Sequence, residues 1–433
     1  MFFICGLFWS EIVPVTLPAQ SEGGCFMKKF VVLVLVTIMV FVFAKERIVI
    51  NSYMSDPAPR KALAELVEIF QQKYPEYEVV VNTFAHEDFK VLLRTWLASP
   101  KGTADVVTWF AGERMRYFAE MGLIVPVEEV FEGAKWEDYF PEAFRSTCSY
   151  KDKIYFIPQS WYWWGVYYRK SVFEKFGIKE PKTWDDFLQV CETLKKNGIV
   201  PITIGTKFPW TAAGWFDILN LRINGLDYHI ALTAGEVPYT DPKLLKVFEY
   251  WRQIIDKGYL LPNHTAYEWQ EAATFLFRGQ AGMYYMGQFI KDVAPAEVKD
   301  DLDFFRFPII DPAVAPYEET PIDGFMIPAN APNKKGAIVF LRFIASKEAQ
   351  EKFAKDLGRL AANVEVAPPD AHAKKGLDMI LASAGVAQFY DRDTNPEMAE
   401  VGMNAFIEFM QNPDRINDIL KRLEAERKRI YGK

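Results

Sequence analysis

The feature that most constrains this chain is a regular alternation at its working end. "RIVINSY" (47–53), "PRKALAELVEIFQQKYP" (59–75), "YEVVVNTF" (77–84), "EDFKVLLRTWLAS" (87–99) and "ADVVTWF" (104–110) follow one another with short breaks. The first, third and fifth are short apolar runs rich in β-branched residues, which reads as buried strand. The second places Leu63, Leu66, Val67 and Phe70 on one helical face and stops before Pro75. Consecutive parallel strands need a crossover, and an amphipathic helix is the usual one. The pattern therefore predicts an α/β fold with parallel strands wrapped by helices. Further on, "KTWDDFLQVCETLKKNG" carries a capping box in Thr183 and Asp186 and a terminating Gly198. Residues 240–300 read as mostly helical around a strand in "QAGMYYMGQF", and the last seventy residues as helical.

The front of the chain reads differently. "MKKFVVLVLVTIMVFVFAKE" begins at Met27 with two lysines, continues with fourteen almost purely apolar residues (Phe30–Phe43), and offers "VFA" for cleavage after Ala44. This is the layout of a secretory signal peptide. Fourteen apolar residues fall short of the ~20 a helix needs to span a bilayer. No cysteine follows the cut, so a lipid anchor is not expected. Residues 1–26 precede the signal and are expected to be an upstream extension from an over-extended gene start. The working chain is then Lys45–Lys433, periplasmic or secreted and soluble.

At that length two lobes are expected rather than one core. The net charge of −7 argues against nucleic acid, which calls for a basic stripe. Cys148 and Cys191 remain after processing; they either pair or stay as two buried thiols. The four histidines (86, 229, 264, 372) are scattered, which rejects a zinc site. Aromatic residues make up 15% of the chain, and "WYWWGVYY" (161–168) concentrates six of them. Such plates stack on the C–H faces of sugars, provided planar polar groups meet the hydroxyl edges.

Read together, four motifs resemble a known family. They are "TADVVTWFAGERMRYFAEMGLIVPV", "KDKIYFIPQSWYWWGVYYRKSVFEKFGIKEPKTWDDF", "FLFRGQAGMYYMGQF" and "IDGFMIPANAPNKKGAIVFLRFIASKEAQEKFA". In that order they are similar to the substrate-binding proteins of bacterial ATP-driven sugar importers of the maltose-binding-protein type. Arg169 and Asp152 depart from the family's usual Asn and Gly. The resemblance implies a two-lobed periplasmic-binding-protein fold, each lobe a mostly parallel sheet wrapped by helices. Three crossings between lobes are expected near 148–157, 302–308 and 358–364. One lobe would be 45–153 plus 306–359, the other 154–305 plus 360–433. The ligand would sit in the cleft, hinge closure would trap it, and the closed form would dock on membrane permease subunits. The chain is expected to be a monomer, not an enzyme, with no catalytic residues, no cofactor and no metal.

Loops after strands are where such sheets place ligands. Aromatic and polar residues at those places are the candidate ligand-binding set: Tyr53, His86, Glu87, Trp109, Trp161, Trp163, Trp210, Trp215, Trp269, Gln288, Asp323 and Arg359. Gln288 and Phe289 stand where relatives carry a cleft aromatic. Trp210 and Trp215 are placed in a loop after "PITIG", and Asp217 is a further hydroxyl partner or a helix-surface residue. Strand alternation sends Trp161 and Trp163 to the cleft, with Trp164 packed behind. Trp96, Trp184 and Trp251 are assigned to packing. "GWFDILNLRINGLDYH" is similar to family members associated with glucosides and disaccharides, although the length of the sugar stays open. Two rival readings are a secreted carbohydrate-active enzyme and a ferric-ion binder on the same fold. The tyrosine pairs 167–168 and 284–285 would suit iron, but both lie in predicted strands, where filling the sheet is the simpler account.

Overall fold

The computed structural model describes residues 45–432. The upstream extension (1–26) and the signal segment (27–44) lie outside the described residues. Strands β1 (Glu46–Ser52), β2 (Tyr77–Thr83), β3 (Val106–Phe110) and β4 (Ile124–Val125) come from the opening segments. A small hairpin follows as β5 (Ser149–Tyr150) and β6 (Lys153–Ile154). Next come β7 (Ile157–Trp161), β8 (Trp164–Arg169), β9 (Val200–Ile202), β10 (Ala281–Gly287) and β11 (Leu302–Phe305). The last are β12 (Tyr317–Glu319), β13 (Ile322–Pro328), β14 (Leu360–Ala361) and β15 (Gly385–Ala387).

Two sheets organise these strands. The larger runs β14-β7-β13-β3-β1-β2, with β4 on β13, and the smaller runs β11-β8-β10-β9. Parallel pairing holds where the sequence alternates strand and helix, at β1/β2, β1/β3 and β9/β10. The strands that return from the other half of the chain insert antiparallel: β13 on β3 and β7, β14 on β7, and β8 between β10 and β11. Both sheets are thus mixed. Each carries its own apolar core, one around Ile48, Leu66, Phe70 and Phe340, the other around Tyr167, Trp215, Phe248 and Phe406.

Local sequence rules explain the helices. Pro57–Lys73 starts on prolines and buries Leu63, Leu66, Val67 and Phe70. Trp184–Lys196 is closed by the Thr183/Asp186 capping box. Ile157–Trp161 hydrogen-bonds in the larger sheet, and Trp163 and Trp164 pack in the second core. Phe307 packs in the second core, and β12 pairs with β15. Leu360 and Ala361 still bond to β7. The strand edges decide these points, and a linear motif does not show which edge a short strand will join. Cys148 and Cys191 are both free and buried, one in each core.

Candidate functional site

A cavity of about 920 Å³, mouth included, lies between the two cores. The larger-sheet lobe lines it with residues that include Tyr53, Asp56, His86, Lys90, Phe110 and Asp323. The other lobe contributes Trp164, Trp210, Trp269, Gln270, Phe289 and Phe389. Tyr162, Asp292, Arg359, Asp391 and Arg392 stand where the two meet.

The aromatic side is built tightly. Trp164 is almost fully buried, with ring centroids 4.9 Å from Phe389, 5.2 Å from Tyr285 and 6.1 Å from Trp210. Gly214 makes room for it, since a Cβ there would stand 2.8 Å from the indole. Trp269 meets Phe289 edge-on at 5.0 Å, and Trp210 at 6.4 Å. Edge-to-face packing of this kind holds plates in fixed planes.

The polar side consists of buried pairs. Arg392 donates to Asp323 at 2.9 Å and to the Tyr162 hydroxyl at 3.3 Å, and its guanidinium lies 4.2 Å from the centre of the Phe110 ring. A bulge between Asp323 and Gly324 sets that carboxylate. It needs glycine, because a Cβ at Gly324 would stand 2.1 Å from the Ile157 carbonyl oxygen. Arg359 pairs with Asp292 and reaches over the Tyr162 ring. Burial raises the Asp292 carboxyl even against the Arg359 guanidinium. Burial and the Lys90 ammonium both lower the His86 imidazole. Gln270 donates to Asp56 at 3.3 Å, a bond from one lobe to the other across the cavity.

Half of the predicted set lines this cavity: Tyr53, His86, Trp210, Trp269, Asp323 and Arg359. The other half lies elsewhere. Trp161 packs on Phe144 and donates its indole N–H to the Ala361 carbonyl at 2.9 Å. Trp163 is wholly buried against Phe304 and His372. Alternation operates in "WYWW", but in the opposite phase, so Tyr162 and Trp164 face the cavity. The same one-residue shift applies on β3, where Phe110 lines the cavity and Trp109 turns away. Trp210 begins a helix, Trp210–Asn224, and not a loop. Trp215 lies five residues on, on another face, buried against Tyr285 and Phe307. Asp217 in that helix is fully buried and accepts from the Tyr390 backbone. Gln288 donates to the Leu357 and Gly358 carbonyls at 2.8 and 3.0 Å, which leaves its neighbour Phe289 at the cavity. Glu87 is taken by Lys90 and His86, which hold its pKa down at about 2 although burial works to raise it.

Sequence reasoning missed "YDRD", the short helix Tyr390–Asp393 that supplies Asp391 and Arg392. Its charge pattern resembles any solvated helix, and only packing shows that Arg392 is buried. The tyrosine pairs 167–168 and 284–285 are buried in β8 and β10, and none of the four lines the cavity. Among the described residues no cluster of three or more His, Cys, Asp or Glu could hold a metal ion.

A family model described as bacterial extracellular solute-binding protein matches residues 51–351. The chain belongs to this family. The bacterial solute receptor AcbH is 34% identical and superposes with a TM-score of 0.85 over 89% of this chain and all of its own. It is described as having an exclusive substrate preference for β-D-galactopyranose. Two relatives are named uncharacterised ABC transporter extracellular-binding proteins of Pyrococcus horikoshii, each 28% identical. PH1214 aligns over 68% of this chain and 66% of its own length, PH1039 over 84% of each. A probable sugar-binding periplasmic protein of Mesorhizobium japonicum is 25% identical over 63% of this chain and 66% of its own. The solute-binding protein is therefore a two-lobed, sugar-binding receptor of an ABC transporter, working in the periplasmic or extracellular space, and not an enzyme. That role implies a carbohydrate ligand and permease partners.

Proposed function

We propose that the cavity binds one neutral hexopyranose of the galactopyranose type and hands it to the permease when the lobes reopen. The observation that carries this reading is the division of the walls. Aromatic plates (Trp164, Trp210, Trp269, Phe289) stand on one side, and buried, paired planar groups (Asp323–Arg392, Asp292–Arg359) stand on the other. Plates take the C–H faces of a pyranose, while carboxylates and guanidinium forks take adjacent hydroxyls. The likeness to a galactopyranose receptor over the whole of that chain supports a single ring. A glucoside or disaccharide is the competing finer reading, suggested by "GWFDILNLRINGLDYH". We further propose a monomer, released by cleavage after Ala44, with lobes divided at Tyr162–Trp163, after β12 and after β14.

A thermal-shift screen over monosaccharides and disaccharides tests the reading, because a ligand that binds only the folded form raises the melting point. Galactose is expected to give the largest shift. Larger shifts with disaccharides would replace the single ring by the longer ligand, and no shift with any sugar would overturn both.

A further inference from the structure

A second cavity of about 1,010 Å³, open mouth included, lies beyond Lys90, which borders both. The first lobe forms it with the helices His86–Ala98 and Glu113–Glu120 and with Trp109. The second lobe closes it with Pro396, Glu400 and Met403 from the helix Pro396–Gln411. Its basic groups are Lys90, Arg94 and Arg114; its acids are Glu87 and Glu400. Lys90 donates to both oxygens of Glu87, at 3.0 and 3.2 Å, so this pair satisfies itself. Arg94 and Glu400 are exposed at the rim.

Arg114 is different. Its side chain is only 11% exposed, and its ion-pair partner among the described residues, Asp391, stands 4.0 Å away, beyond hydrogen-bond reach. Its Nε is buried with no partner among the described residues. The indole N–H of Trp109, a residue 2% exposed in the same wall, also has none. An unmet buried donor is costly, and more so when charged. Both residues line the cavity, Arg114 has no hydrogen-bonded carboxylate among the described residues, and a guanidinium fork fits a planar or tetrahedral oxoanion with two parallel bonds.

We propose that this second cavity is an oxoanion site, taking a carboxylate or phosphate group on Arg114 and the Trp109 indole, with Arg94 drawing it in at the rim. The anion is either free or carried by an acidic sugar. A free anion does not depend on the sugar reading of the first cavity.

The test is calorimetry at pH 7 and constant ionic strength on the full mature chain. It is titrated with inorganic phosphate, acetate and D-galacturonate, each with and without galactose. At least one is expected to saturate. Arg114→Gln should weaken it about tenfold or more, and Arg94→Gln about two- to threefold. Trp109→Phe keeps the ring but removes the donor, and should weaken binding about two- to fivefold if Arg114→Gln does not fold. Saturation by phosphate or acetate supports a free anion. Saturation by galacturonate alone, with the Arg114→Gln loss, supports a sugar-borne carboxylate. No saturation by any of the three up to roughly 10 mM, or affinities unchanged in Arg114→Gln and Trp109→Phe, would overturn the site, whatever galactose does in the first cavity.

Discussion

The two walls of the first cavity are built on opposite principles. The wall on the smaller-sheet side is a packed aromatic block, where Trp164, Trp210, Trp269 and Phe289 hold one another edge-on. Across from it, the cavity is set by charges, with Asp323 on a bulge of β13 tied to Arg392. The aromatic block lies within one lobe. The polar wall joins both, because Asp323 belongs to the larger sheet while Arg392 packs on Phe110 of the first core and on Phe389 of the second.

Mutations can break this contrast. The largest effect is expected from Asp323→Ala, which leaves Arg392 buried and without its carboxylate. Removing one partner of a buried pair costs about 3–5 kcal/mol, which urea unfolding would measure; a loss below about 1 kcal/mol would show that the pair behaves as a surface one.

The aromatic side carries a hidden titratable group. His372 lies 5.6 Å from Trp163 and 4.9 Å from Phe304, and burial, aided by Lys291, lowers its pKa to about 4. The unfolded chain, near 6.5, then binds the proton first. Stability from this group is complete above pH 6.5 and is lost as pH falls toward about 4. Relative to His372→Phe, the native chain should lose roughly 2–3 kcal/mol across that window; parallel pH profiles of the two would contradict it.

Binding separates the plates. Trp210→Ala should weaken sugar affinity by roughly 1–3 kcal/mol, the scale of aromatic stacking on a flat ligand. Trp161→Ala, whose ring packs on Phe144 outside the cavity, should leave affinity within about 0.5 kcal/mol. Calorimetry that reversed this order would restore the opposite phase for "WYWW". Among the expected losses, the smallest belongs to the bond between lobes. Gln270→Ala removes the donor to Asp56 and should reduce affinity by about 0.5–1.5 kcal/mol, seen as faster sugar release in stopped-flow fluorescence.

What the sequence determined by itself is local or periodic. The strand–helix alternation at 47–110, the Thr183 cap, and the packing roles of Trp184 and Trp251 needed only neighbouring residues, and all appear in the structure. The aromatic richness of the site was also legible, as was the placement of Tyr53, Trp210, Trp269, Asp323 and Arg359 at the cavity. Phase was not. A period of two shows that Trp161 and Trp163 share a face, but which face meets the cleft depends on which sheet edge β7 joins. Arg392 and Asp391 were out of reach for a related reason. "YDRD" reads as polar surface, and it becomes a cavity wall only because the helix Tyr390–Asp393 packs between the helices Glu113–Glu120 and Pro396–Gln411. Tertiary structure decided those roles, since burial and charge pairing are properties of contacts between segments far apart in the chain.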